Sequence, residues 1–88
     1  MIKQEPLITV IMPAYNVEKF LERSVNSVIN QDYHNLDILI IDDGSRDKTP
    51  EIADMLKEKD TRVRVIHQLR THFTIYIIIR VDEHYVVA

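Results

Sequence analysis

The chain has 88 residues, 45% of them hydrophobic and 28% charged, with no cysteine and a formal net charge of -3. That length suits one small domain and not two, the balance is that of a globular chain rather than a disordered one, and disulfides and thiolate metal sites are excluded. Residues 1–60 carry 7 basic against 12 acidic side chains and residues 61–88 carry 4 against 2, so no basic cluster follows a nucleic-acid backbone and nucleic acid is not an expected partner.

The opening MIKQEPLITV has no apolar stretch behind a basic start, so no signal peptide is expected. Residues 7–12, LITVIM, are apolar, rich in β-branched side chains and bracketed by Pro6 and Pro13. They predict a strand buried on both faces. PAYN follows as its exit loop. Asn16 is predicted to cap a helix whose first turn carries Glu18, where the helix dipole favours an acid. Across 17–30, Val17, Phe20, Leu21, Val25, Val28 and Ile29 share one helical face, and Glu18, Lys19, Glu22, Arg23 and Asn26 the other. NQDYHN (30–35) is a polar loop, and LDILII (36–41) predicts a second buried strand.

Two adjacent acids, Asp42 and Asp43, end that strand just before Gly44, the only glycine. Thr49 as cap and Pro50 at the first helical position predict a second helix. Ile52, Met55 and Leu56 form its apolar stripe, and Lys57 and Lys59 suit its C-terminal end. RVRVIH (62–67) alternates basic and apolar, as in a strand with one exposed face. The order strand, helix, strand, helix, strand implies an α/β fold with parallel strands and right-handed crossovers.

Residues 73–82 continue with a long period-two pattern. The linker QLRT (68–71) is too short for a crossover helix, so an added C-terminal strand antiparallel to the third is expected. The longest apolar run, IYIII at 75–79, falls far short of the ~20 residues that span a bilayer. A cytoplasmic location is expected, membrane-peripheral only through a partner.

The segment from Ile8 to Ala53 resembles the opening of the family-two glycosyltransferases, enzymes of the GT-A fold. The resemblance rests on PAYN, on SVxSVxNQ (Ser24, Val25, Ser27, Val28, Asn30, Gln31) and on IDDGSxDxT at 41–49, and it runs over about residues 7–67. It implies half of a Rossmann-like three-layer sandwich, with 1–68 as the nucleotide-binding portion and 69–88 as a tail outside the family. It implies transfer of a sugar from a nucleotide donor, UDP foremost, to an acceptor hydroxyl in glycan or polysaccharide synthesis. By position, Pro13, Ala14 and Tyr15 would line the nucleoside, with Tyr15 beside the base. Asp43 would accept a hydrogen bond from the uracil ring N–H, and Glu18 is a further candidate contact. Ligands of open α/β sheets bind beyond the carboxyl ends of the strands, where both loops fall.

Past RVRVIHQ the resemblance stops. The family continues toward a DxD-type motif that holds a magnesium or manganese ion on the donor diphosphate, then to a catalytic base and an acceptor domain. Residues 68–88 contain no Asp-x-Asp. The expectation is therefore a chain with no catalytic residue, no metal ligand and no retained cofactor, binding UDP weakly and inactive by itself. An altered reading frame near residue 68 and a naturally short relative both account for such a chain. The alternative is a non-catalytic, truncated α/β module that self-associates and binds no nucleotide. A homodimer or higher oligomer is expected through a strand edge or the tail.

Read without the family, Asp42 and Asp43 are a polar strand exit, Asp47 caps a turn and Tyr15 covers the core. His34, His67, His72 and His84 show no helical i, i+4 pair, so a histidine metal site is not expected. Arg62 and Arg64 read as a solvated strand face.

Overall fold

The computed structural model describes residues 6–70 and a short strand at 85–87. The elements run β1 (Ile8–Ala14), α1 (Leu21–Ile29), β2 (Leu36–Asp43), α2 (Thr49–Lys59), β3 (Val63–Gln68) and β4 (Tyr85–Val87). They build one sheet in the order β3-β2-β1-β4. β1 and β2 pair in parallel with Ile8 opposite Leu36 and Ala14 opposite Asp42. β2 and β3 pair in parallel from Ile38–Val63 to Asp43–Gln68. The expected β-α-β-α-β unit with parallel strands is therefore present.

Side chains alternate across a strand with period two, and here the alternation sorts the sheet into two apolar layers. Val10, Met12, Ala14, Leu36, Ile38, Ile40 and Val63 point toward the helices, where Leu21 and Val25 of α1 and Ala53 and Leu56 of α2 close over them. Ile11, Leu39, Ile41 and Ile66 form a second cluster on the opposite face. β2 is the central strand of this unit. Ile38, Leu39 and Ile40 are each 0% exposed, which at about 1.5–3 kcal/mol per buried aliphatic side chain makes it the main anchor of the fold.

The C-terminal strand departs from expectation. The predicted strand over 73–82 lies outside the described residues. β4 runs parallel to β1, pairing Thr9 with Tyr85, Val10 with Val86 and Ile11 with Val87. It lies beside β1, on the edge remote from β3, and this corrects the antiparallel placement against the third strand. The reason is available room on both counts. The backbone groups of β1 on the side away from β2 need partners, and residues 71–84 exceed the dozen or so that a parallel connection requires.

The helix starts also differ. α1 begins at Leu21, with Phe20 at its cap position and no side-chain cap. Asn16 instead adopts a left-handed backbone, φ 52°, and its side chain is used across the loops. Phe20, placed on the apolar stripe by spacing, is 55% exposed with the Arg23 guanidinium 5.7 Å from its ring centre. It precedes the first helical residue, so the 3.6-residue period does not govern it. Arg64 is not freely solvated. Its guanidinium forms a two-pronged bond to Asp37, Nε to Oδ1 at 2.7 Å and Nη2 to Oδ2 at 2.6 Å. No helix among the described residues is long and apolar enough to cross a membrane.

Candidate functional site

Two loops leave the carboxyl ends of β1 and β2 side by side, because those strands are parallel and in register at Ala14–Asp42. They are stitched together. The Asn16 backbone N–H donates to Ser45 Oγ at 3.0 Å, and Asn16 Oδ1 accepts from the Arg46 N–H at 2.9 Å. The Val17 N–H donates to Thr49 Oγ1 at 2.9 Å. Asp47 accepts from the Glu18 N–H at 3.2 Å and from the Thr49 N–H at 2.8 Å. Glu18 answers by accepting the Lys48 N–H at 3.2 Å. Thr49, expected to cap α2 with its hydroxyl, spends that hydroxyl on the first loop, and the Asp47 carboxylate serves the start of α2 instead. Burial pushes the Asp47 carboxyl up, and the hydrogen bonds from Thr49 and from the Glu18 N–H outweigh it, so its pKa sits below the ordinary carboxylate value.

Strand alternation gives the two adjacent acids opposite duties. Asp42 turns toward the helices and is 3% exposed. Its Oδ1 accepts the Ser45 N–H at 3.1 Å. Its Oδ2 lies 2.9 Å from Nδ1 of His67, its register partner on β3. The far nitrogen of His67, Nε2, lies 2.8 Å from Oδ1 of Asp54 on α2. The hydrogen bonds to Asp42, first, and to Asp54 raise the His67 pKa above its ordinary value. This carboxylate–imidazole–carboxylate chain fastens β2, β3 and α2 together. It was not anticipated, because it depends on Asp42 and His67 facing one another in the parallel register.

Asp43 turns to the opposite face, with Pro13 and Gln68 by the same alternation. Its Oδ1 accepts from Gln68 Nε2 at 2.9 Å, and Arg70 Nη1 donates to its Oδ2. The same Arg70 guanidinium lies over the Tyr15 ring, Cζ 3.7 Å from the ring centre. Gly44 makes this approach possible. Its φ is +71°, and a Cβ there would lie 2.5 Å from the Arg70 nitrogen.

Of the residues expected to contact a nucleoside, Tyr15 and Asp43 are thus brought to one place. Tyr15 is 39% exposed. Pro13 is exposed at the end of β1. The Ala14 side chain is packed in the helix-side core at 3% exposure, which leaves only its backbone to line a ligand. Glu18 is engaged with the second loop, where it accepts the Lys48 N–H.

The segment matching the family model described as glycosyl transferase family 2 is residues 9–73, which takes in both stitched loops, β2, β3 and all but the first residue of β1. The chain belongs to that family. The glycosyltransferase EpsJ of Bacillus subtilis is 41% identical over 63 residues, 72% of this chain and 18% of its own length. A glycosyltransferase of Haemophilus influenzae is 47% identical over 60 residues, 68% of this chain and 24% of its own. Among solved structures, a mannosyltransferase of Pyrobaculum calidifontis in complex with GDP-mannose and Mn2+ superposes with a TM-score of 0.63 at 25% identity, covering 78% of this chain and 21% of that one. The glycosyltransferase-family chain therefore spans about a fifth of the length of these relatives.

The residues described do not fit a metal site for a donor diphosphate. No group of three His, Asp or Glu side chains among them is arranged to hold an ion. The two acids at the rim already use their oxygens on Ser45, His67, Gln68 and Arg70.

Proposed function

We propose that this chain carries the nucleoside-reading rim of a sugar-transferring enzyme of glycan synthesis, with a uridine diphosphate sugar as the donor. Tyr15 stacks on the base, Asp43 accepts the imide N–H of uracil, and Pro13 with the Ala14 backbone borders the ring. Glu18 holds the first loop in place through Lys48. The observation that supports this reading is the Arg70 guanidinium. It is a flat N–H donor that touches the Tyr15 face and the Asp43 carboxylate at once, so the gap between them accepts a flat N–H donor. A uracil ring has the same two properties. Nothing in this rim activates an acceptor hydroxyl or stabilises a leaving diphosphate. Transfer itself then requires groups besides those described.

The test is a titration with UDP followed by amide NMR shifts. Shifts concentrated at residues 13–18 and 42–45, lost in Asp43→Ala, support the rim. Flat spectra at millimolar UDP support the second reading, a module that binds no nucleotide. That reading is favoured by one observation, the internal partners already on both Asp43 oxygens. Self-association remains part of the proposal, through the outer edge of β3, which pairs with no described strand. A clean monomer by light scattering at micromolar concentration removes it.

A further inference from the structure

The contact that supports a nucleoside site also fills it. Arg70 satisfies the stacking face of Tyr15 and one carboxylate oxygen of Asp43, and Gln68 donates to the other. The chain after β3 lies close enough to Gly44 that its backbone nitrogen would be 2.5 Å from a Cβ there. Arg70 is held by three features at once: a carboxylate, an aromatic face and a glycine notch. A guanidinium is planar, carries N–H groups at its rim and stacks on aromatic rings. It therefore presents the features of a nucleobase edge and face.

We propose that Arg70 is an internal surrogate for the base, so that nucleotide binds this chain by displacing it. The proposal rests on the nucleoside reading of the rim and adds a regulating step to it. In the closed form Tyr15 and Asp43 are both occupied, and only molecules with Arg70 swung away are competent to bind. Apparent affinity is then the intrinsic affinity reduced by the fraction of open molecules. An exposed ion pair and a cation–π contact together keep about nine molecules in ten closed, on the usual strengths of such contacts. Salt weakens the ion pair and so raises the open fraction.

The experiment is a UDP titration of the full 88-residue chain and of its Arg70→Ala and Arg70→Lys variants, each checked for an unchanged fold by its amide spectrum. Arg70→Ala is expected to bind UDP about tenfold more tightly than the unaltered chain, because the competitor is gone. Arg70→Lys, which keeps the charge and loses the flat stacking group, is expected to fall between them. Binding to the unaltered chain that is equal to or tighter than binding to Arg70→Ala overturns the surrogate and leaves the nucleoside rim standing. Absence of binding to all three at millimolar UDP overturns both. If Arg70→Ala does not keep its fold, the Lys variant decides alone: no gain in affinity over the unaltered chain sinks the proposal.

Discussion

Replacing Gly44 with alanine should destabilise the fold by more than the usual cost of a surface substitution. Gly44 sits at φ +71°, and an added Cβ would meet the Arg70 backbone nitrogen at 2.5 Å and its Cα at 2.9 Å. A left-handed backbone costs an L-residue about 1–2 kcal/mol. The clash is with backbone, so no flexible side-chain tip can yield, and residues 69–70 must lift away. Lifting them gives up the Arg70–Asp43 ion pair and the Arg70–Tyr15 contact, about 0.5–1 kcal/mol each. The total is about 2–4 kcal/mol. For a domain of this size one kcal/mol moves the melting temperature by roughly 4–8 °C, so a drop of about 10–25 °C is expected in a far-ultraviolet circular dichroism melt. A fall of less than about 4 °C would refute both the strain and the close seating of Arg70.

Other substitutions test the stitching and the histidine chain. Thr49→Val keeps the shape of a 0% exposed side chain and removes the acceptor of the Val17 N–H. It should cost about 1–3 kcal/mol in urea unfolding, and an unchanged midpoint would show that the loop finds another acceptor. His67 has a raised pKa in the folded chain. The stability it adds is therefore complete below its unfolded pKa near 6.5 and is lost as pH rises through the raised folded value. Its side chain is 43% exposed, so solvent limits the effect to about 0.5–1 kcal/mol. The stability difference between the unaltered chain and His67→Ala should shrink from pH 6 to pH 9, and a difference that grows would contradict the assignment.

The parts of the fold that were legible in the sequence are those where one physical signal acts alone. LDILII reads as a buried strand and is one, and the second helix starts at Thr49, one residue before the predicted first helical position, with Lys48 rather than Thr49 at its cap. The start of the first helix was not legible. Asn16 has the chemistry of a cap, but here its backbone turns left-handed and its carboxamide accepts from Arg46, a partner 30 residues away. Phe20 fitted the apolar stripe and is nonetheless outside the helix. Linker length alone points the tail to the nearer edge, that of β3, whereas the C-terminal strand pairs with β1. At the site, the residue types at Tyr15 and Asp43 were readable. What separates Asp43 from Asp42 is that β2 extends through both, so alternation sends them to opposite faces. The partners His67, Gln68 and Arg70 follow only once the register of β3 is known.

The most direct test of the account compares UDP with CDP on the unaltered chain and on Asp43→Ala. Uracil offers an imide N–H to a carboxylate, and cytosine presents an acceptor at the same ring position. A hydrogen bond to a charged group is worth about 1.5–3 kcal/mol, so UDP should bind at least about tenfold more tightly than CDP. In Asp43→Ala that preference should vanish. Equal affinity of the unaltered chain for the two nucleotides, or a preference that survives in Asp43→Ala, would contradict the claim that Asp43 reads the base.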